Sequence, residues 1–327
     1  MENTVIPAYR MSIAPMMDWT DRHYRYFMRL LTKRTLLYTE MVTTGAILRN
    51  DRREQFLSYS PEELPLALQL GGDDPVALAE CAQIGEDYGY SEINLNVGCP
   101  SDRVQSGSFG ACLMREPNRV AEMVSSCKKA TSLPVTVKHR IGIDGKDSLD
   151  DLLHFVHTIK DAGVDRIIIH ARIAILEGLS PAENRKVPPL RYADVYEVKK
   201  QFPELPIIIN GGILDFQSAH KHMLSVDAVM IGRAAYDNPY LFASADSEFY
   251  SEKDPGLSRE DVLMELANYI ARMDTLGTKV HHVMRHVLGL YHGRHGARAF
   301  RRFFSEKMHG SNVDSNLIQN FLKLKVV

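Results

Sequence analysis

The sequence has no long apolar run and no strong excess of either charge. None of its 327 residues belongs to an apolar stretch of the roughly 18 residues that a membrane-spanning helix needs, and its start lacks the charged-then-apolar order of a secretory signal. The formal net charge of −2 excludes a uniformly basic coat for nucleic acid but permits a local basic patch. We therefore expect a cytoplasmic protein that does not enter a membrane.

Cysteine is also scarce. The four cysteines, Cys81, Cys99, Cys112 and Cys127, are spaced by 18, 13 and 15 residues and form no CxxC pair. This spacing argues against a zinc ribbon and against a disulfide framework, so we predict reduced cysteines and no metal site. Cys81 and Cys127 fall on predicted helices, and we expect them to be small buried hydrophobic residues. The role of Cys112 stays open.

The sequence does contain a repeated alternation of short apolar runs with longer helical stretches. Eight such runs start 22 to 42 residues apart, the length that a strand, a helix and two loops require. The predicted strands are Met11–Met17, Leu36–Val42, Leu66–Leu70, Glu92–Val97, Pro134–His139, Arg166–His170, Pro206–Asn210 and Ala228–Gly232. Eight units predict an α/β fold, a (β/α)8 TIM barrel. A doubly wound open sheet is the alternative, disfavoured because no GxGxxG follows the first strand.

Each predicted strand ends in residues that can do chemistry. These ends carry Met16–Asp18, Glu40, Gln69, Asn94–Cys99, Lys138, Arg140, His170, Arg172, Asn210–Gly212 and Gly232–Arg233. In a barrel the carboxyl ends of all strands share one face, and that face holds the active site. Any one of these residues is equally explained as a hydrogen-bonded buried polar group. Polar residues at the carboxyl ends of all eight predicted strands, however, favour one shared site.

The alternation of predicted strands and helices ends near Pro239. Residues Glu248–Gly256 are polar and contain Pro and Gly, which is typical of a linker, and Leu257–Val327 has helical spacing. We predict a barrel domain over residues 1–247 and a small all-helical C-terminal domain over 257–327. The second carries 11 basic against 6 acidic residues. A solvated helical face is one explanation. A surface for RNA or polyphosphate is the other, because the basic residues are interleaved with Tyr291, Phe300, Phe303 and Phe304.

The segment Asn94–Ser101 contains the strongest candidate for catalysis. Asn94 and Asn96 point to the same side of a strand, and their amides can hold the edge of a planar ring. Gly98 permits a turn, and Cys99 would lie at the barrel mouth, where a thiol can transfer a proton or attack a substrate. The alternative for Cys99 is a small buried hydrophobic residue. Its location favours chemistry.

The last two strands end in a pattern suited to phosphate. Asn210-Gly211-Gly212 and Gly232-Arg233 offer backbone N–H groups and a guanidinium, and barrels commonly bind phosphate after these strands. Lys138 and His170 would point into the same bowl. A phosphorylated planar cofactor fits, and we predict flavin mononucleotide (FMN). Met16 and Met17 would lie along its ring, with Gln69 and Lys138 at the polar edge.

Several motifs resemble the tRNA-dihydrouridine synthases, and in particular their bacterial A subfamily. The resemblance covers roughly residues 8–310. It is carried by the segments 12–23 (SIAPMMDWTDRH), 37–46 (LYTEMVTTGA), 68–72 (LQLGG), 93–103 (INLNVGCPSDR), 110–114 (GACLM), 137–142 (VKHRIG), 169–172 (IHAR), 178–185 (GLSPAENR), 210–213 (NGGI), 231–233 (IGR) and 296–302 (GARAFRR).

The resemblance implies residue roles. Residues 1–247 would be an FMN-binding catalytic barrel and 257–327 a helical tRNA-binding domain. The implied FMN contacts are Pro15, Met16, Met17, Gln69, Lys138, His170, Asn210, Gly211, Gly212, Gly232 and Arg233. The implied tRNA contacts are Asn96, Arg185, Lys186, Arg298 and Arg301. Cys99 is implied as the catalytic acid.

The implied activity is the reduction of uridines in the tRNA D-loop, at positions 20 and 20a, with NADPH as reductant. Hydride would pass from N5 of reduced FMN to uracil C6, and Cys99 would protonate C5 from the opposite face. The partners would be tRNA and NADPH, which would visit briefly because no dinucleotide-binding motif is visible, and the protein would act as a monomer.

Two features depart from the family pattern, and two rival functions stay open. Ile173 stands where the family often has Lys, and the stretch from His292 to Gly296 contains a second histidine, His295. The first rival is an FMN-dependent reductase of a small pyrimidine or enone, for which a basic tail has little use. The second is an RNA-binding module or tRNA chaperone with an inactive barrel. The argument against it is the complete set of Gln69, Cys99, Lys138, His170 and Arg233.

Overall fold

Parallel strands form one sheet in the computed structural model, which describes residues 5–51, 53–101, 107–309, 314 and 316–325. Its strands are β1 (Met11–Ile13), β2 (Leu37–Tyr38), β3 (Val42–Thr43), β4 (Leu66–Gly71), β5 (Glu92–Val97), β6 (Val135–Arg140), β7 (Arg166–His170), β8 (Ile207–Asn210) and β9 (Ala228–Ile231). Their order is β1-β9-β8-β7-β6-β5-β4-β2, with β3 also beside β4. Ser12 pairs with Leu36, directly before β2, and so brings the two ends of the sheet together.

Helices follow most of the strands and cover the outside of this ring, and further helices form the C-terminal region. They are α1 (Arg22–Leu31), α2 (Thr44–Leu48), α3 (Arg53–Leu57), α4 (Pro75–Asp87), α5 (Pro117–Ala130), α6 (Leu149–Asp161), α7 (Tyr192–Gln201), α8 (Phe216–His222), α9 (Arg233–Asp237), α10 (Ala245–Tyr250), α11 (Arg259–Asp274), α12 (Val280–Met284), α13 (Ala297–Lys307) and α14 (Asn316–Lys325). With β2 and β3 counted as one interrupted strand, the predicted eight-stranded barrel and its helical C-terminal region are confirmed.

The first two predicted strands are shorter than expected. The strand predicted over Met11–Met17 ends at Ile13, because Pro15 has no N–H to continue the ladder and a turn follows, in which the Thr20 N–H donates to the Met16 carbonyl at 2.9 Å. The run Leu36–Val42 is split into β2 and β3.

The predicted linker also begins too early. Helix α10 continues to Tyr250, whose ring is 4% exposed and whose hydroxyl donates to the Met11 carbonyl at 2.9 Å. Residues Glu248 to Tyr250 are therefore part of a packed helix rather than a linker. The division into domains at 1–247 and 257–327 stays a prediction.

Successive side chains of each strand point to opposite faces of the sheet, which explains the apolar triplets. In β8, Ile207 and Ile209 pack outward in the large core beneath the helices. Ile208 points inward and joins a second, smaller cluster inside the barrel. That inner cluster consists of Ala14, Leu36, Tyr38, Ala67, Ile168, Ile208, Ala228 and Met230. The barrel is therefore filled, and its open space lies at the strand ends.

Helices α11–α14, here called the helical tail, pack against the barrel through α1. The rings of Tyr26 on α1 and Tyr269 on α11 stack with centroids 3.9 Å apart. Asp21 caps α1 by accepting the N–H groups of His23 and Tyr24, and it also accepts a hydrogen bond from Arg285 at 2.6 Å. The tail therefore has a defined position beside the barrel mouth.

The interior of the helical tail is aromatic. Phe300 and Phe304 are 1% and 0% exposed and pack around Phe321, while Tyr291 is 3% exposed. The idea that these aromatic residues stack RNA bases is therefore wrong for Tyr291, Phe300 and Phe304, because their faces are used in the core. No helix in the described ranges has the length and apolar character needed to cross a membrane.

Candidate active site

Cys99 lies at the mouth of the barrel, in the loop that follows β5. It is half-buried, and its sulfur is 3.5 Å from the Ser101 hydroxyl. Its backbone N–H donates to Asn96 Oδ1 at 3.0 Å, and its carbonyl accepts the N–H of Ala111 at 2.9 Å. The loop thus holds the thiol at the mouth, as predicted, rather than inside a helix layer.

The other three cysteines have environments that do not favour chemistry. Cys81 and Cys127 are buried beneath helices, and burial raises the pKa of each thiol to about 12. Cys112 is half-buried, its thiol donates to the Phe109 carbonyl at 3.0 Å, and burial raises its pKa as well. All four cysteines are free.

Gly98 and Arg140 support the Cys99 loop from the neighbouring strand. A Cβ added to Gly98 would lie 3.3 Å from the Cα of His139, so the loop passes close to the backbone of β6. Arg140 is 3% exposed and donates to the carbonyls of Gly98, Ile173 and Asn184 at 3.1, 2.8 and 3.0 Å. Arg140 therefore ties three loop carbonyls together, a structural role that sequence reasoning did not assign.

Cationic side chains converge at the ends of β6 and β7. Burial, together with the charge of Arg140, lowers the pKa of Lys138 to about 8, and Cys99 opposes the shift. Burial and the charges of Arg140 and Lys138 hold the pKa of His170 well below its usual value. Desolvation therefore favours the neutral forms of the side chains in this cluster. An anion bound among them would favour their protonated, positively charged forms.

The glycines after β8 form a close backbone cradle beside this cluster. Gly211 and Gly212 have φ values of +113° and +71°, which side-chain-bearing residues rarely adopt. A Cβ on Gly211 would lie 2.5 Å from the His170 ring, and one on Gly212 would lie 2.5 Å from Leu190. Asn210, 6% exposed, is anchored through its Nδ2 to the Met230 carbonyl at 2.8 Å. The cradle therefore requires glycine for both conformation and space.

Arginines border the cradle on its solvent side. Arg233 begins α9 and donates to the Arg185 carbonyl at 3.1 Å, and Arg172 donates to the Lys186 carbonyl at 3.3 Å. Burial and the neighbouring charge of Arg233 lower the pKa values of Arg172 and Arg185. The structure thus brings Arg185, predicted to contact tRNA, next to Arg233, predicted to contact FMN.

The predicted amide residues occupy different depths. Asn96 is half-buried at the mouth, but Asn94 is fully buried, with its amide bonded to Gln69 at 2.7 Å and to Thr136 at 2.8 Å. The expectation that Asn94 orients a ligand directly is therefore wrong. Gln69 is 1% exposed, so only a small part of its amide reaches the mouth. The period-two spacing of Glu92, Asn94 and Asn96 was the available signal for a polar barrel interior.

The loop after β1 forms the remaining side of the mouth. Pro15 and Met16 are half-buried and Met17 is 57% exposed. The next residues turn sharply, with Asp18 at φ +64°, and place the Trp19 ring on that of Tyr236 with centroids 4.3 Å apart. This stack, which sequence reasoning missed, connects the loop to α9.

Arg298 and Arg301 lie apart from these residues, on the exposed face of α13 in the helical tail. Their side chains are exposed, and Phe300 and Phe304 of the same helix face inward. Within the part of the chain that the structure describes, no group of three or more His, Cys, Asp or Glu side chains is placed to hold a metal ion.

A family model described as dihydrouridine synthase (Dus) matches residues 12–325. The chain is 54% identical to the tRNA-dihydrouridine(20/20a) synthase of Synechocystis sp. over 96% of this chain and 93% of that protein. It is 52% identical to the tRNA-dihydrouridine(20/20a) synthase of Escherichia coli O6:H1, over 98% and 97%. It is 54% identical to the protein of the same name from Pseudomonas aeruginosa, over 92% and 90%.

A solved structure of 2-naphthoyl-CoA reductase with 2-naphthoyl-CoA has a similar fold. The TM-score is 0.58 at 12% sequence identity, and the match covers 72% of this chain and 49% of that one. At this identity the likeness concerns the fold alone.

Proposed function

The chain belongs to the dihydrouridine synthase family, and on that premise we propose that it reduces uridines of the tRNA D-loop to 5,6-dihydrouridine with FMN as cofactor and NADPH as reductant. The name of its relatives, tRNA-dihydrouridine(20/20a) synthase, supports positions 20 and 20a as the targets. The observation that carries the proposal is a thiol, Cys99, held at a barrel mouth beside a cationic cluster and a glycine cradle.

The residues at the mouth fit FMN. The cradle of Gly211 and Gly212 would receive the phosphate with backbone N–H groups and Arg233, and the cationic cluster around Lys138 suits an anionic ligand. We propose as FMN contacts Pro15, Met16, Met17, Gln69, Lys138, His170, Asn210, Gly211, Gly212, Gly232 and Arg233. When bound, FMN supplies hydride chemistry at its N5, directed to uracil C6.

Cys99 is the proposed general acid. Hydride addition at C6 leaves negative charge on C5 and the adjacent carbonyl, and the Cys99 thiol gives its proton to C5. Because Asn96, Ala111 and Arg140 bind the backbone of Gly98 and Cys99, the loop that carries the thiol is held in place before the substrate arrives. Lys138 would place positive charge at the polar edge of the bound ring, where reduction adds negative charge.

The substrate base has to leave the RNA stack to reach the mouth. Unstacking costs a few kcal/mol, and phosphate contacts from basic residues would offset that cost. We propose Asn96, Arg185, Lys186, Arg298 and Arg301 as tRNA contacts. A cytoplasmic location and a monomeric state remain predictions.

The decisive test is mass analysis of nuclease fragments of tRNA after incubation with the purified protein and NADPH. A mass gain of two hydrogens at D-loop uridines 20 and 20a is the expected result. Reduction of free uracil or of an enone, with tRNA left unchanged, would replace this proposal by a small-molecule reductase. A colourless protein that binds tRNA without changing its mass would point to an RNA-binding module.

A further inference from the structure

A series of buried polar side chains lies inside the barrel. It leads towards the mouth from the amino-terminal ends of the strands, here called the floor. There Glu92 forms an ion pair with Arg166 and accepts hydrogen bonds from the hydroxyls of Tyr38, at 3.0 Å, and of Thr136. The guanidinium of Arg166 lies 4.2 Å from the ring centroid of Tyr9, which covers it from below. The floor therefore presents a fixed carboxylate, which can only accept hydrogen bonds.

Above the floor, three amides continue the series. The Thr136 hydroxyl accepts a hydrogen bond from Asn94 Nδ2 at 2.8 Å, and Asn94 Oδ1 accepts one from Gln69 Nε2 at 2.7 Å. Gln69 Oε1 in turn accepts from Asn96 Nδ2 at 2.9 Å. We call the five residues Glu92, Thr136, Asn94, Gln69 and Asn96 the polar file. It is one unbroken series of hydrogen bonds.

The polar file ends at the loop that carries Cys99. Asn96 Oδ1 accepts the backbone N–H groups of Gly98 and Cys99 at 3.1 and 3.0 Å. A backbone N–H can only donate, so Asn96 has to present its oxygen to the loop and its nitrogen to Gln69. The loop is thus held by the side chain at the top of the file.

Both ends of the file have fixed polarity, and together they set the direction of every bond between them. If the Gln69 amide were turned by 180°, its nitrogen would meet the nitrogen of Asn96 and its oxygen would meet the oxygen of Asn94. Two donors and two acceptors would then face each other in a buried site, which is strongly unfavourable. The carboxylate at the floor and the N–H groups at the top therefore select one orientation of Gln69.

We propose that Thr136 is a positioning residue for the reaction proposed above, because its hydroxyl transmits the polarity of Glu92 to Gln69 and to the Cys99 loop. The inference rests on the proposed function of Cys99 and Gln69. Thr136 itself is fully buried on β6 and is connected to Gln69 through Asn94. Its hydroxyl suits the role since it donates downward to Glu92 and accepts from Asn94 above.

Thr136→Val tests the proposal with little change of shape. Valine keeps the volume and the β-branch but removes both the donor to Glu92 and the acceptor for Asn94. Thr136→Ser restores the hydroxyl. Ser12→Ala is the matched control, because Ser12 is a fully buried hydroxyl of the same barrel that lies outside the file and 3.5 Å from the Val229 carbonyl.

Two measurements would be made on each full-length variant. The first is the rate at which iodoacetamide alkylates Cys99 in the protein stripped of flavin, followed by mass analysis of the Cys99 peptide. The second is uridine reduction in tRNA by the flavin-loaded protein, with kcat separated from KM. We expect Thr136→Val to change the alkylation rate and to lower kcat about tenfold with KM for tRNA unchanged. Thr136→Ser should restore both, and Ser12→Ala should resemble the wild type.

Two outcomes would overturn the proposal: wild-type alkylation and kcat in Thr136→Val, or equal losses in Thr136→Val and Ser12→Ala. Should Thr136→Val not fold, Thr136→Ala removes the same hydroxyl with less crowding and carries the same comparison. The alkylation measurement needs neither flavin nor tRNA. A wild-type protein that reduces no uridine would therefore defeat the proposed function, while the alkylation rates would still decide whether Thr136 controls the Cys99 loop.

Discussion

The barrel buries a set of polar side chains in addition to its apolar core, whereas the helical tail buries mainly apolar and aromatic side chains. Inside the barrel, Glu92, Asn94 and Thr136 are buried and joined by hydrogen bonds. In the tail the buried groups are aromatic, such as Phe300 and Phe304, and the basic residues of α13 are exposed. The difference indicates that the barrel holds groups in fixed directions for chemistry, whereas the tail builds an ordinary core beneath a charged surface.

The largest effect should come from the mouth of the barrel. Cys99→Ala should retain FMN and lose uridine reduction by about 10²–10⁴-fold, the usual contribution of a general acid or base. Single-turnover reduction of tRNA by the pre-reduced variant measures this loss, with Cys112→Ala as the control. Full activity in Cys99→Ala would remove this thiol from the role of acid.

A change in the tail core should instead act on stability. Phe304→Ala should lower the free energy of unfolding by about 3–5 kcal/mol, because it leaves a cavity in a fully buried aromatic cluster. Phe303→Ala, at a half-buried position on the same helix, should cost less. Denaturant unfolding measures both, and equal costs would contradict the packing described for α13.

The glycine cradle should affect cofactor affinity. Gly211→Ala combines an unfavourable φ with a contact of 2.5 Å to the His170 ring, so FMN binding should weaken by about tenfold or more. Gly163→Ala is the control, since Gly163 also has positive φ, +89°, but no atom within 4 Å of the added Cβ. Flavin titration measures both. Equal FMN affinities in the two variants would remove the cradle from the site.

The charge at the mouth should make FMN binding depend on pH. Lys138 has a pKa of about 8 in the protein without ligand, so its ammonium is present at pH 7 and is lost as the pH rises through 8. The affinity for FMN should therefore fall between pH 7 and 9, because the cofactor's phosphate already carries its second charge above pH of about 6. Lys138→Met should bind FMN more weakly at pH 7 and lose most of this dependence. An unchanged pH profile in Lys138→Met would assign the titration to another group.

The smallest effect should come from the tail surface. Arg301→Ala should leave stability within about 0.5 kcal/mol of the wild type while weakening tRNA binding and reducing its salt slope by about 1. Binding isotherms over a range of salt concentrations measure the slope, with Lys221→Ala, at an exposed lysine on α8, as the control. An unchanged slope in Arg301→Ala would place the RNA surface elsewhere.

The resemblance to the dihydrouridine synthases, visible in the sequence motifs, is confirmed by the family match and by relatives over nearly the full length. The barrel was predictable because short runs rich in apolar and β-branched residues recur at regular intervals along the sequence. Where prediction failed, local signals were ambiguous. Nothing local in Asn94 distinguishes an amide that faces a ligand from one that faces Thr136. The spacing of Phe300, Phe303 and Phe304 places them on one face of α13, but it does not show whether that face packs into the protein or against RNA.

The succession of strands and helices can be predicted from the sequence alone, and so can the presence of Cys99, Lys138 and two adjacent glycines at strand ends, since strand periodicity and residue type are local properties. The folded structure was needed to show that Glu92, Thr136 and Asn96 belong to one hydrogen-bonded series and that Arg285 of the tail contacts Asp21 of the barrel. Such contacts depend on the relative position of segments that are distant in the chain, and packing and barrel closure fix that position.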